Sequence, residues 1–359
     1  MNFLNSLNCM GKEAVDENTD AYNSDLRVIA AMKEIYKLRN LQDDVDYQIY
    51  KVELNTLPGH ILVTESGFKN SQKLLMVHGY GGCAATYFKV LPELSKHFHV
   101  FMFDMYGMGG SYRFDFVDLI KDWKDAMNVM TKSINEMIQK LDLDNFYILA
   151  HSMGGYITAH YLSMYRHRIR GVFMVSPAGF SKPSDQIVND WLERQLDKAE
   201  YDKNWVKRST IKATWKGAMN VIDHTKLSPW HFMIAFKDKI LNSWLGQENF
   251  LFSEEERTAW VNLYLAMLKT KLSGDKFLGY FLKYCSYSDH PFGHLIPDLM
   301  DSGIKFKFYY GDKDWMDIVA IKNTMDNEFE PKHRFVPTIV RDCGHQMQFD
   351  NSEELVKHI

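Results

Sequence analysis

Cysteine is scarce in this sequence, and its spacing is irregular. The chain has 359 residues and four cysteines, none of them in a CxxC pair: Cys9, Cys83, Cys285 and Cys343. Scattered single cysteines are typical of free thiols in a reducing compartment, so neither a disulfide framework nor a zinc site is expected. Cys343 lies two residues before His345, which leaves a reactive thiol open as an alternative, but we favour a packing role.

Long apolar runs and an excess of charge of either sign are also missing. No stretch reaches the ~18 apolar residues of a membrane-spanning helix. The first residues lack the basic start and apolar centre of a signal peptide. A net charge of -4 and an isoelectric point near 6.4 give no reason to expect nucleic acid as a partner. We therefore expect a cytoplasmic protein, with attachment to the periphery of a membrane or lipid droplet left open.

What the sequence does contain is an alternation of apolar runs and helical patterns. A hairpin is predicted first, with strands at 47–55 and 60–66 joined through Pro58-Gly59. Six further apolar runs follow, separated by helical stretches, at 73–79, 99–107, 145–152, 171–179, 305–311 and 333–340. Continuous apolar strands between helices predict an α/β protein with a mostly parallel sheet, buried on both faces by helices.

The alternation also divides the chain into parts. The predicted parts are an N-terminal extension and helix (1–45), an α/β core (46–180 and 304–359) and a helical lid (181–303). Within the extension, residues 1–25 are polar and predicted to be poorly ordered, and a helix is predicted at 26–41. The sequence shows no internal repeat and no low-complexity tract.

The predicted lid interrupts the strand pattern and holds six of the eight tryptophans. An aromatic-rich helical block between two parallel strands suits a lid over their carboxyl ends, with an independent helical domain as the alternative. Ser253 and Glu256 predict a capping box at the start of one helix in it.

Between Lys203 and Lys239, eight basic residues stand against two acidic ones. That stretch suits docking at an anionic membrane, or a solvated basic face.

The clearest chemical signal is the string Ala150-His151-Ser152-Met153-Gly154, where an apolar strand ends and a helix begins. A serine in such a turn has a strained backbone, and its hydroxyl projects clear of the sheet. The residues two positions to either side must be small, as Ala150 and Gly154 are. Ser152 is therefore the predicted nucleophile, although glycine is more usual than alanine at the first of these positions.

A serine nucleophile needs a base, and the base needs an orienting carboxylate. In this architecture the chain order is serine, acid, histidine. Asp314 follows the fifth parallel-type run and is the predicted acid, with Asp312 as its rival. His345 follows the last run and is the predicted base. Ordinary structural roles are favoured for the other histidines close to the site or in the lid segment, namely His78, His151, His290 and His294.

Glycines follow the first parallel strand in the string His78-Gly79-Tyr80-Gly81-Gly82. Glycines let backbone N–H groups approach a developing oxyanion, and the amides of Tyr80 and Met153 are the predicted donors. A phosphate-binding loop is disfavoured, because neither GxxxxGK[ST] nor GxGxxG is present. This arrangement requires no metal and no organic cofactor.

The strings HGYGG, FDMYGMGGS, HSMGGY, YGDKDWMD and GHQMQFD occur in the order seen in α/β-hydrolases, and the chain resembles that family over most of residues 70–350. More narrowly it resembles the branch with lysophospholipases, N-acylphosphatidylethanolamine lipases, cardiolipin lipases and lysophosphatidic acid acyltransferases. The resemblance implies an α/β-hydrolase fold with a helical lid and the triad Ser152, Asp314 and His345. It also implies Asp350, in an HxxxxD string linked to acyl transfer, as an accessory acid. Our alternative, which we favour, is that Asp350 caps the following helix.

These observations predict a serine hydrolase that cleaves acyl esters, with a phospholipid, lysophospholipid or acylglycerol as the expected substrate. A small-molecule esterase, amidase or peptidase on the same triad is one alternative. A lipid-binding regulator with a vestigial triad is another, since some members of the branch have lost the serine and activate lipases. The retained Ser152 favours catalysis.

Overall fold

The predicted alternation of strands and helices is present in the computed structural model, which describes residues 20–165, 169–184, 253–283 and 287–359, together with 189, 190 and 193. The strands are β1 (Tyr47–Glu53), β2 (His60–Ser66), β3 (Lys73–Val77), β4 (His99–Phe103), β5 (Phe146–His151), β6 (Ile169–Val175), β7 (Phe306–Gly311) and β8 (Thr338–Val340). The α-helices are α1 (Asp20–Lys37), α2 (Leu91–His97), α3 (Trp123–Lys140), α4 (Met153–Met164), α5 (Glu254–Leu268), α6 (Leu278–Phe281), α7 (Ile296–Asp301), α8 (Ile318–Glu328), α9 (Met347–Asp350) and α10 (Ser352–His358). Short 3-10 helices cover Ala84–Tyr87, Phe116–Leu119, Gly274–Phe277, Gly293–Leu295 and Pro331–His333.

These strands form a single sheet in the order β1-β2-β4-β3-β5-β6-β7-β8. The predicted hairpin is confirmed, because β1 and β2 pair antiparallel from Tyr47 opposite Ser66 to Glu53 opposite His60. β2 also runs antiparallel to β4, and all later neighbours are parallel. The carboxyl ends of β3 to β8 therefore meet at one edge of the sheet, which is where an α/β sheet places its site.

Both faces of the sheet are covered, as the continuous apolar strands predict. On β4, Phe101 and Phe103 pack on one face, and Val100 and Met102 pack on the other. The first face carries α3 and α4, and the second carries α1, α2, α5 and α10. In the described ranges, no helix is long and apolar enough to cross a bilayer.

The N-terminal helix differs from its predicted bounds. It begins at Asp20 and ends at Lys37, whereas the sequence predicted 26–41 and little order before residue 26. The end has a local cause, because Asn40 adopts a positive φ of 56°, a conformation that commonly terminates helices. Residues 1–19 lie outside the described residues.

The last strand is also shorter than predicted. Only Thr338–Val340 pair with β7, whereas the run 333–340 was predicted to be extended throughout. Pro337 has no N–H to donate to a ladder, and a 3-10 turn at Pro331–His333 precedes it. The prediction is therefore wrong for residues 333–337.

The helix α5 shows how one part of the predicted lid meets the core. Its predicted capping box is confirmed, since Ser253 Oγ accepts from Glu256 N and the Glu256 carboxylate accepts from Ser253 N. Trp260 is fully buried and packs its ring 5.9 Å from Phe88 and 5.0 Å from Phe349. Most of the predicted lid, including the basic stretch 203–239, lies outside the described residues.

Two loops at the carboxyl edge are joined by the buried imidazole of His78. Its Nε2 accepts from Met105 N at 2.9 Å, after β4, and its Nδ1 donates to Gly79 O at 2.7 Å, after β3. A backbone donor on one nitrogen and a backbone acceptor on the other require the neutral ring. Burial, the largest influence, lowers the pKa of His78 to about 4. The structural role predicted for His78 agrees with these contacts.

Replacing Trp260 tests whether α5 is an integral part of the core. Trp260→Ala removes a fully buried ring, and we expect a loss of about 3–5 kcal/mol in the free energy of unfolding. Val319→Ala, at a side chain that is 48% exposed, is the control and should cost less than about 0.5 kcal/mol. Urea denaturation measures both changes. Similar, small losses in the two variants would show that α5 is only loosely attached.

Acidification should destabilise the protein in part through His78. The unfolded ring binds a proton below about pH 6.5, and the folded ring does so only near pH 4. The contribution of the neutral ring is therefore complete above pH 6.5 and is lost as the pH falls towards about 4. Over that window one such proton changes the free energy of unfolding by about 1.4 kcal/mol per pH unit.

Urea denaturation between pH 7 and pH 5 measures this dependence. His78→Asn should flatten the slope by that amount, whatever its effect on absolute stability. Val319→Ala, at an exposed position that carries no titratable group, should leave the slope close to that of the natural chain. Equal slopes in the natural chain and in His78→Asn would contradict the assignment.

Candidate active site

The turn between β5 and α4 presents Ser152 at the carboxyl edge of the sheet. Ser152 has φ 52° and ψ -122°, a backbone conformation that costs an L-residue energy. The turn is held because Ser152 N donates to Val175 O on the neighbouring strand at 3.1 Å, and because α4 begins with the next residue. The hydroxyl thus stands at the apex of a tight, supported bend.

The steric demand on the neighbours of Ser152 is visible in the packing. A Cβ atom added to Gly154 would lie 2.4 Å from His78 O and 2.7 Å from Val77 O, which are backbone atoms that cannot move aside. Ala150 is fully buried, and its methyl group is accommodated. The departure from glycine at this position therefore leaves the turn intact.

The structure brings the predicted nucleophile, base and acid together. His345 Nε2 lies 3.0 Å from Ser152 Oγ, and His345 Nδ1 lies 3.2 Å from Asp314 Oδ1. Because a carboxylate can only accept, Nδ1 carries the proton, and Nε2 accepts from the serine hydroxyl. This is the arrangement in which an imidazole can remove the serine proton.

Asp314, and not its rival Asp312, faces the base. Asp314 is 1% exposed and also accepts from Ser176 Oγ at 2.5 Å and from Met316 N at 3.0 Å. Burial, the largest single influence, opposes ionisation, but the neighbouring His345 and these two donors outweigh it and lower the pKa of Asp314. Its carboxylate is therefore charged in the folded protein and can stabilise an imidazolium. Asp312 instead accepts from Cys343 N at 3.0 Å.

The two predicted oxyanion donors belong to the helix that begins after Ser152 and to the loop that follows β3. Met153 opens α4, where N–H groups have no acceptor within the helix. The Gly79 carbonyl accepts from His78 Nδ1. Since carbonyl and N–H groups of a trans peptide point in opposite directions, the Tyr80 N–H is directed away from the His78 ring.

The loop before Tyr80 approaches the nucleophile closely. A Cβ atom on Gly79 would lie 3.0 Å from Ser152 Cβ and 2.8 Å from His151 Nδ1, so the loop can pass this near to Ser152 only with glycine there. This close approach supplies the physical reason for one glycine of the string.

His151 contacts the base in a way that the sequence did not indicate. Its Nε2 donates to the backbone carbonyl of His345 at 2.9 Å, and the two ring centroids are 4.9 Å apart. Burial, the largest influence, lowers the pKa of His151 to about 3, so the ring is neutral. His151 therefore supports the base without adding a charge beside it.

The remaining histidines singled out by the sequence lie elsewhere. The carbonyl of His290 accepts from Tyr156 Oη at 3.0 Å, and its ring stacks on Trp123 with centroids 4.4 Å apart. His294 lies on the 3-10 helix at Gly293–Leu295. In the part of the chain that the structure describes, no three His, Cys, Asp or Glu side chains converge as a metal site would require.

Two further contacts at the site were missed from the sequence. Ser176 donates to Asp314, and the Trp315 ring centroid lies 4.7 Å from that of His345. The position of Ser176, directly after β6, was the only available signal.

Cys343 is buried, and burial, the largest influence, raises the pKa of its thiol to about 12, which suits packing and not nucleophilic reactivity.

Asp350 contacts the backbone of the loop that carries His345. It is 4% exposed, and its Oδ2 accepts from Gly344 N at 2.7 Å. Burial, the largest influence, raises its pKa to about 6 although this N–H opposes the shift. The interpretation of Asp350 as the cap of the following helix is wrong. Asn351 caps α10, its Oδ1 accepting from Glu354 N at 3.3 Å.

Comparisons with known proteins agree with this geometry at the level of the family. The family model for the alpha/beta hydrolase fold matches residues 73–352. A probable 1-acylglycerol-3-phosphate O-acyltransferase of Oryza sativa subsp. japonica is 27% identical over 266 residues, which cover 71% of this chain and 58% of that protein. The 1-acylglycerol-3-phosphate O-acyltransferase ABHD5 of Homo sapiens is 31% identical over 123 residues, or 34% of each chain. The matches thus span less than two thirds of these relatives.

Among solved structures, the naproxen esterase (carboxylesterase NP) from Bacillus subtilis superposes with a TM-score of 0.59. It is 13% identical, and the match covers 96% of this chain and 98% of the esterase. Identity this low speaks for the fold alone. Because the family model spans well over half of the sequence and the sheet has the corresponding architecture, the chain belongs to the α/β-hydrolase family.

Proposed function

We propose that this protein is a serine hydrolase that cleaves acyl ester bonds of a phospholipid, lysophospholipid or acylglycerol through an acyl-enzyme on Ser152. The observation that carries the proposal is the continuous pair of hydrogen bonds from Ser152 to His345 and from His345 to Asp314. A serine hydroxyl of ordinary acidity is a poor nucleophile, and this relay is what activates it.

In the first half of the reaction, Ser152 Oγ bonds to the ester carbonyl carbon while His345 Nε2 takes the hydroxyl proton. The imidazolium so formed is stabilised by the buried, ionised Asp314. The carbonyl oxygen becomes an oxyanion between the amides of Tyr80 and Met153. Loss of one such donor typically costs about 10²–10³-fold in rate. The ester C–O bond then breaks, and the leaving alcohol receives the proton from His345.

In the second half, an acceptor hydroxyl attacks the acyl-enzyme. His345 takes its proton, and Ser152 recovers the proton as the acyl bond to Oγ breaks. Water as the acceptor gives hydrolysis, and a lipid alcohol as the acceptor gives acyl transfer by the same steps. The names of the matched relatives, 1-acylglycerol-3-phosphate O-acyltransferases, support a lipid acyl substrate and make acyl transfer the second candidate reaction.

The proposed setting is the cytoplasm, at the periphery of a membrane or lipid droplet. The excess of eight basic over two acidic residues between Lys203 and Lys239, interleaved with tryptophans, supports docking on an anionic surface. That stretch lies outside the described residues, so the support comes from the sequence.

Labelling by a fluorophosphonate probe tests the nucleophile directly. The natural chain should react, and Ser152→Ala should not, because the probe bonds only to an activated serine. Ser163→Ala, an exposed serine at the far end of α4, is the matched control and should label like the natural chain. If Ser152→Ala labels as strongly as the natural chain, the reactive nucleophile is a residue other than Ser152. An unlabelled natural chain would favour a lipid-binding regulator with a vestigial triad.

A screen across lipid classes tests the substrate. We expect the natural chain to release fatty acid from at least one glycerophospholipid, lysophospholipid or acylglycerol, and Ser152→Ala to be slower by about 10⁴–10⁶-fold. Released acid, and acyl groups moved to an added lysophospholipid, are measured by mass spectrometry. Rapid turnover of short soluble esters with no cleavage of any lipid would favour the small-molecule esterase instead.

A further inference from the structure

The loop that carries His345 is held at its backbone by side chains from three other parts of the chain. Three consecutive residues are fixed: Cys343 N by Asp312, Gly344 N by Asp350, and His345 O by His151. The distances are 3.0, 2.7 and 2.9 Å. An imidazole whose own backbone is held on both sides has little freedom to swing away from Ser152.

Of the two carboxylates among these supports, Asp350 is buried and Asp312 is exposed. Asp350 is 4% exposed, and its second oxygen, Oδ1, is buried as well. Its hydrogen bond goes to the amide immediately before the base, and to neither the imidazole ring nor Ser152. A group that exchanges protons with an acceptor alcohol must come within about 2.6–3.2 Å of it, directly or through one water. A carboxylate closed in behind the loop is poorly placed for that task.

The short helix that bears Asp350 is itself well anchored. The preceding Phe349 packs its ring 5.0 Å from Trp260 and 6.2 Å from Phe88, and its carbonyl lies 3.5 Å from Lys89 Nζ. The residue that accepts from the Gly344 amide therefore follows directly after an aromatic side chain that is packed in the core. A residue can fix the position of a neighbour only if its own position is fixed by packing.

We propose that Asp350 is a positioning residue for His345, which acts by accepting the Gly344 N–H and serves hydrolysis and acyl transfer alike. The inference rests on the proposed function, because it assumes that His345 activates Ser152. It departs from the role of the HxxxxD string as an acid dedicated to acyl transfer. A misplacement of about 1 Å in a catalytic group can cost 10²-fold in rate, so the support matters for activity.

The test compares Asp350→Asn with Asp350→Ala in the full chain. The asparagine side chain keeps an oxygen that can accept from Gly344, but it cannot ionise in the working range. The first readout is the second-order rate constant of fluorophosphonate labelling, which needs no lipid substrate. The second is turnover of a p-nitrophenyl ester with and without glycerol as the acceptor. Leu355→Ala, a change at a fully buried side chain on α10 that makes no hydrogen bond to the loop, is the control for lost stability.

We expect Asp350→Asn to stay within about threefold of the natural chain in both readouts. Asp350→Ala should label about 10–100-fold more slowly, with kcat reduced, KM unchanged and the ratio of transfer to hydrolysis unchanged. Leu355→Ala should lower the melting temperature while labelling at the natural rate. If Asp350→Ala does not fold, a natural rate and an unchanged transfer ratio in Asp350→Asn still support the proposal.

Three results would overturn the inference. Asp350→Asn as slow as Asp350→Ala would mean that an ionisable carboxyl is required. Loss of transfer with hydrolysis intact would assign Asp350 to the transfer step. Natural labelling of Asp350→Ala would show that the Gly344 contact positions nothing. A natural chain that fails to label is a different result, because it removes the proposed function itself and this inference with it.

Discussion

The strained turn at Ser152 is the constraint on which the rest of the site depends. A positive φ at a serine is costly, and it persists only because the surroundings hold it. Gly154 lies against the backbone carbonyls of Val77 and His78, which fixes α4 to the end of β3. The same approach sets the distance between the nucleophile and the loop that offers the Tyr80 amide. The apex of the bend and the loop that follows β3 are thus held together by one packing contact.

Around that turn, the polar groups are fixed chiefly through backbone atoms. His78 joins the loops after β3 and β4, and His151 holds the carbonyl of the base. Both rings are buried and neutral, so they orient their partners without placing charge near the imidazole. The ionised Asp314 is then the carboxylate in direct contact with His345. Because its buried surroundings screen charge poorly, this carboxylate would stabilise a positive charge on His345.

Much of this could be predicted from the sequence, because the relevant signals are local. Continuous apolar runs indicate buried parallel strands, and a small–Ser–small turn at a strand end indicates a nucleophile. What could not be predicted depends on which strands become neighbours. Ser176 reaches Asp314 only because β6 and β7 pair, and His151 reaches His345 across the edge of the sheet. The sequence prediction placed the helix cap at Asp350, whereas the structure has it at the next residue, Asn351. Both residue types can cap a helix, and only the path of the backbone decides between them.

The packing of α5 changes how the segment between β6 and β7 should be understood. Trp260 and Phe349 are in contact, and Phe349 immediately precedes Asp350, whose carboxylate holds the loop of the base. The helix α5, within the segment between β6 and β7, is therefore part of the support of His345. A core contact of this kind transmits displacement, because close-packed rings cannot shift independently. A displacement of α5 relative to the sheet would therefore reach the loop of His345 through the contact of Trp260 with Phe349.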